Sequence, residues 1–94
     1  MKAAVLHRIG EALRMEQVPG PKAGPDEVIV RTKACGICGT DLHIRDGWGY
    51  KPDLPFIMGH EPAGIVVDAG EQVTKFKPGD RVAILAPNCT DYFE

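Results

Sequence analysis

The stretch EVIVRTKACGICGTDLHIRDG, residues 27–47, carries two patterns in succession. From Glu27 to Ala34 the residues alternate as in a strand. Val28, Val30, Thr32 and Ala34 share one side, and Glu27, Arg31 and Lys33 share the other. Ile29 breaks the alternation and is expected to face a second layer. Beyond Gly36 the character changes. Thr40 and Asp41 suit a helix start, Asp41 and Arg45 form a favourable i,i+4 pair, and Gly47 suits a helix end. The spacing predicts one short helix over residues 39–46, entered directly from a strand.

Towards the N-terminus, Ala3 to His7 reads as a short strand, and Ala12 to Val18 alternates with Leu13 and Met15 on one face. Pro19-Gly20-Pro21 and Gly24-Pro25-Asp26 bracket a loop. Towards the C-terminus, residues 47–55 form an aromatic, proline-containing loop. Pro62 to Ala69 is a near-continuous apolar run, read as a buried strand. A turn at Lys77-Pro78-Gly79-Asp80 leads to a strand over Arg81 to Ala86, with Val82 and Ile84 on one face. Many short strands and one short helix predict a mainly β fold, a partly open barrel.

The 94 residues suffice for one small domain. A hydrophobic fraction of 44% supports a core, although a chain this short buries proportionally little of its surface. The formal net charge of -2, with no basic run, argues against a nucleic-acid or acidic-lipid partner. No apolar run approaches membrane-spanning length, and the one after Lys2 is too short for a signal peptide. Three cysteines do not suggest a disulfide framework, so a cytoplasmic location is expected.

Two segments carry chemistry: Cys35-Gly36-Ile37-Cys38-Gly39-Thr40-Asp41-Leu42-His43 and Gly59-His60-Glu61. Zinc accepts cysteine sulfur, histidine nitrogen and carboxylate oxygen, and a catalytic zinc needs only three protein ligands. Cys38 and His60 are the first candidates. Cys35 and Cys38 also form a C-x-x-C pair, which alone suits half of a structural zinc knuckle or a redox dithiol. Neither of those readings uses Gly59-His60-Glu61. Trp48, Tyr50 and Phe56 suit either a substrate pocket or a small apolar cluster under the loop.

Gly59-His60-Glu61-Pro62-Ala63-Gly64, followed at fixed spacing by Gly70 and Val73, resembles the signature of the zinc-dependent medium-chain alcohol dehydrogenases. Gly36-Ile37-Cys38-Gly39-Thr40-Asp41, Pro55, and Pro78-Gly79-Asp80-Arg81-Val82 are similar to further motifs of that family. The resemblance implies that residues 1–94 are a single partial domain. That domain would be the N-terminal, GroES-like part of such an enzyme, truncated before its nucleotide-binding Rossmann domain. It implies Zn2+ held by Cys38 and His60, with Glu61 at or near the metal. It implies Asp41 orienting the histidine ligand, Thr40 bonding the substrate alcohol, and His43 ending a proton relay. The implied reaction is hydride transfer from a zinc-activated alcohol to NAD or NADP, giving an aldehyde or ketone. The resemblance admits a homo-oligomer at full length. Cys35 falls where the family tolerates small residues and is not taken as a ligand.

Gly39 departs from the basic residue that some relatives place after the ligand cysteine to meet the coenzyme pyrophosphate. This points to a polyol or bacterial secondary-alcohol branch. The sequence contains no G-x-G-x-x-G, so no nicotinamide-binding residue is assigned, and the polypeptide alone is expected to be inactive. Cys89 is a candidate first member of a structural-zinc lobe. Competing readings are a non-catalytic GroES-like barrel module, a structural zinc domain, and the zinc-free quinone-reductase branch, which lacks the Cys and His ligands.

Overall fold

The computed structural model describes residues 1–85. The strands and helix are β1 (Lys2–Leu6), β2 (Arg14–Gln17), β3 (Val28–Gly36), α1 (Gly39–Asp46), β4 (Phe56–Ile57), β5 (Glu61–Ala69) and β6 (Arg81–Ala83). They form two open, antiparallel, three-stranded sheets with orders β2-β1-β4 and β3-β5-β6. This is the mainly β architecture with one short helix that the sequence predicts. Cys89 and Ala86, the expected end of the last strand, lie outside the described residues. Within them, β6 already stops at Ala83.

The buried apolar side chains are few. Ala3, Val5 and Leu6 come from β1, Ile44 from α1 and Val66 from β5. Leu6 and Val66 are fully enclosed, and each such burial contributes on the order of 1.5–3 kcal/mol. β2 is an edge strand of its sheet, and its expected apolar face stays open, with Met15 69% exposed. The run 62–69, read as a buried strand, is only half buried. Gly64 and Val66 are enclosed, whereas Val67 and Asp68 face outward.

The single-face reading of Val28, Val30, Thr32 and Ala34 also needs correction. The β3–β5 ladder shifts register twice, between Ile29 and Val30 and between Thr32 and Ala34. Lys33 is thereby an extra residue on β3, and Val67 is an extra residue on β5 with no partner on β3. Each bulge resets which face the following side chains take. Gly64 lies opposite Thr32 beside one bulge, and a Cβ there would fall 2.0 Å from the Arg31 carbonyl oxygen. Only glycine admits so close a backbone approach.

The helix runs from Gly39 to Asp46 as predicted, and Gly47 ends it in the left-handed conformation, φ 88°. Its N-cap is Cys38 rather than Thr40 or Asp41. Arg45 pairs with Asp46, at 3.0 Å, and not with Asp41, whose carboxylate oxygens are engaged elsewhere. The two-residue strand β4 is too short to leave a periodic signal in the sequence.

Candidate metal centre

Cys38 and His60 are brought together by strand register. The β3–β5 ladder pairs Cys35 with Pro62 and Gly36 with Glu61 at its end. The chain leaving β3 and the chain entering β5 therefore emerge side by side. Cys38 stands two residues past the ladder and His60 one residue before it.

Asp41 joins the two. Its Oδ2 accepts the Cys38 backbone N–H at 3.0 Å, closing the first turn of α1 from the N3 position. Its Oδ1 accepts His60 Nδ1–H, also at 3.0 Å. Both side chains are largely enclosed, 14% exposed for Asp41 and 18% for His60. A neutral imidazole that donates through Nδ1 keeps its lone pair on Nε2. That Nε2 is buried and has no hydrogen-bond partner. Such an atom is costly to leave unused. The donor atoms of Cys38, His60 and Glu61 all lie within 4.8 Å of one another. The set mixes thiolate, imidazole and carboxylate, a combination suited to zinc.

Burial works against a charged His60, but the Cys38 side chain and the Asp41 carboxylate outweigh it, and the His60 pKa is raised. The same electron-rich surroundings that attract a proton to this imidazole attract a cation. Thr40 is buried, 5% exposed, and its Oγ1 accepts the Cys38 S–H at 3.6 Å. His43 is exposed in the last turn of α1. Thr40 thus sits at the cluster and His43 in solvent, three residues apart on one short helix.

Cys35 is an exposed free thiol outside the three-donor cluster. Tyr50 and Phe56 meet edge to face, with centroids 6.5 Å apart, while Trp48 is 71% exposed. A cavity of about 440 Å³ lies beside the cluster, lined by Leu13, Ile37, Asp41, Leu42, Arg45 and Met58 among others. The three aromatics do not line it. Two features escaped the sequence reading: this cavity and the space left by Gly36 under Glu61. Neither has a local sequence signal, because both arise from the packing of segments far apart in the chain.

A mainly β domain with two open sheets and a cysteine–histidine–glutamate cluster between one strand end and one helix start defines the class. The family model described as alcohol dehydrogenase GroES-like domain matches residues 24–93, and the chain belongs to that family. An alcohol dehydrogenase of Moraxella sp. is 49% identical over 85 residues, covering 89% of this chain and 25% of the relative. A sorbitol dehydrogenase of Bacillus subtilis is 47% identical over 88 residues, covering 89% and 24%. A quinone oxidoreductase structure from Pseudomonas syringae superposes with TM-score 0.83 at 38% identity, covering 90% of this chain and 27% of that one. The chain spans about a quarter of the length of the curated relatives it matches. Among the described residues, no helix is long and apolar enough to cross a membrane.

Proposed function

We propose that this chain is the zinc-binding portion of an NAD(P)-dependent alcohol or polyol dehydrogenase. The observation that carries the reading is the buried, unpartnered His60 Nε2 beside Cys38 and Glu61, held in that tautomer by Asp41. Cys38, His60 and Glu61 would hold the ion. When bound, zinc supplies the Lewis acidity that lowers the pKa of an alcohol. Asp41 fixes the imidazole plane and raises its basicity. The Thr40 hydroxyl, buried beside Cys38, would accept a hydrogen bond from the hydroxyl of a substrate alcohol and, as it takes that proton, pass its own on towards solvent, where the exposed His43 would serve as the base that receives it.

The chain spans about a quarter of the length of its alcohol dehydrogenase relatives, and no nicotinamide-binding residue is assigned within it. The polypeptide alone is accordingly taken to be inactive. Mixed with alcohol, zinc and cofactor it gives no reduced cofactor above blank, and clear turnover would overturn this point. The substrates are small alcohols and their aldehyde or ketone products. Relatives named alcohol and sorbitol dehydrogenase support both the alcohol and the polyol class. Neither Cys35 nor Cys38 is in a disulfide, which suits a reducing compartment, taken here as the cytoplasm.

The likeness to a quinone oxidoreductase structure admits a zinc-free reading. That reading leaves the three-donor cluster and the orphaned Nε2 without a use. Metal analysis decides between the two. Protein purified without chelator is expected to carry zinc, to keep it in Cys35→Ser, and to lose it in Cys38→Ser and His60→Ala. Zinc retained in both of the last two variants would defeat the proposal.

A further inference from the structure

Gly36 ends β3 directly opposite Glu61, the first residue of β5. A Cβ at position 36 would lie 3.0 Å from Glu61 Oε1, 3.3 Å from its Cβ and 3.5 Å from its Cδ. The Glu61 side chain thus lies over the bare backbone of Gly36, and its carboxylate is one of the three donors of the metal cluster. We propose that Gly36 is a positioning residue for the metal centre, its missing side chain being the space that lets the Glu61 carboxylate reach Cys38 and His60. The inference rests on the zinc reading above and adds to it which residue keeps the carboxylate in place.

The physical case has three parts. Gly36 has no positive φ, unlike Gly59 at φ 102°, so alanine at position 36 requires no unusual backbone. The closest contact is with the far end of a flexible side chain, which can rotate away, while the contact with the Glu61 Cβ is relieved only by a shift of a few tenths of an ångström between the two strand ends. Glu61 is exposed, so its carboxylate has solvent to swing into. A methyl group at position 36 therefore crowds the Glu61 carboxylate, whose cheapest response is to turn towards solvent, while the strand ends give slightly. The carboxylate retreats, and Cys38 and His60 remain as donors.

The test is a titration of the metal-free chain with Co2+ alone, read by its visible absorption, with far-UV circular dichroism as a check of folding. The thiolate-to-cobalt band reports Cys38, and the weaker d–d bands report the number of ligands. Gly36→Ala is expected to keep the thiolate band, to change the d–d bands, and to weaken Co2+ binding about tenfold, the lower end of what misplacing a ligand costs. Glu61→Ala is expected to do the same, and Gly36→Ala added to Glu61→Ala is expected to cost nothing further. Wild-type affinity and bands in Gly36→Ala, or full additivity in the double variant, would overturn the proposal while leaving the zinc reading intact. Absence of a thiolate band in the wild type would overturn both. If Gly36→Ala alone does not fold but the double variant does, the contact with Glu61 is confirmed. If neither folds, Gly36 serves the backbone and the proposal fails.

Discussion

The two sheets of this protein divide its labour. Among the described residues, the β2-β1-β4 sheet supplies three of the buried apolar residues, Ala3, Val5 and Leu6, and none of the candidate metal donors. The β3-β5-β6 sheet supplies one buried apolar side chain among the described residues, Val66, yet the candidate metal cluster gathers at the end of its β3–β5 ladder. The first is held by side-chain burial. The second depends on backbone register, on two bulges and on glycines where strands and side chains approach closely. A ligand set needs accurate placement of polar atoms, and such atoms are poor core material. Separating the two tasks lets each be met without cost to the other.

Substitutions should respect that division, and the largest effect sharpens it most. His60→Ala is expected to reduce bound zinc to background while the metal-free chain unfolds at nearly the wild-type denaturant midpoint. Leu6→Ala should do the reverse. It should cost about 2–5 kcal/mol in denaturant unfolding, while the fraction that remains folded binds zinc normally. Gly64→Ala should break the division, because its Cβ meets the backbone at Arg31 between the two registers. A loss of about 1–3 kcal/mol together with weaker zinc binding is expected. A change in only one of the two would show that the bulge and the ligands are independent.

Asp41→Asn tests the link between helix and ligand. It should weaken zinc by about 10–100-fold, measured by competition with a chelator. The smallest expected effect lies in the turn before β6. The Asp80 carboxylate accepts the Lys77 backbone N–H and pairs with the Lys77 ammonium, and both lower its pKa. Because the folded pKa lies below the unfolded one, this contribution is present above the unfolded carboxylate pKa of about 4 and is lost as pH falls through the folded value. The stability difference between wild type and Asp80→Asn should therefore be seen at neutral pH and vanish in acid. A difference that persists in acid would mean the turn relies on something other than the charge.

Much of this was legible in the chain. The helix over residues 39–46 was readable because its start, its end and its length are all local signals. Cys38, His60 and Glu61 were readable as candidates because their residue types and neighbours form two short motifs, and the structure brings their side-chain N, O and S atoms within 4.8 Å of one another. Other readings failed where a local rule met a competing partner. The Asp41–Arg45 pair is allowed by helical spacing, yet Cys38 N–H and His60 Nδ1–H take the carboxylate. The uniform face from Val28 to Ala34 is what alternation implies, yet a bulge at Lys33 resets it.

The sequence by itself determined which side chains can bind a metal, where the helix lies and that strands dominate. Each of these follows from residue chemistry and from periodicity over a few neighbours. Only the tertiary structure decided that Gly36 faces Glu61, that Asp41 serves the helix and the imidazole together, and that His60 Nε2 is left buried and unpartnered. These depend on the register between β3 and β5. That register is set by the pairing of segments some thirty residues apart, which local patterns do not encode.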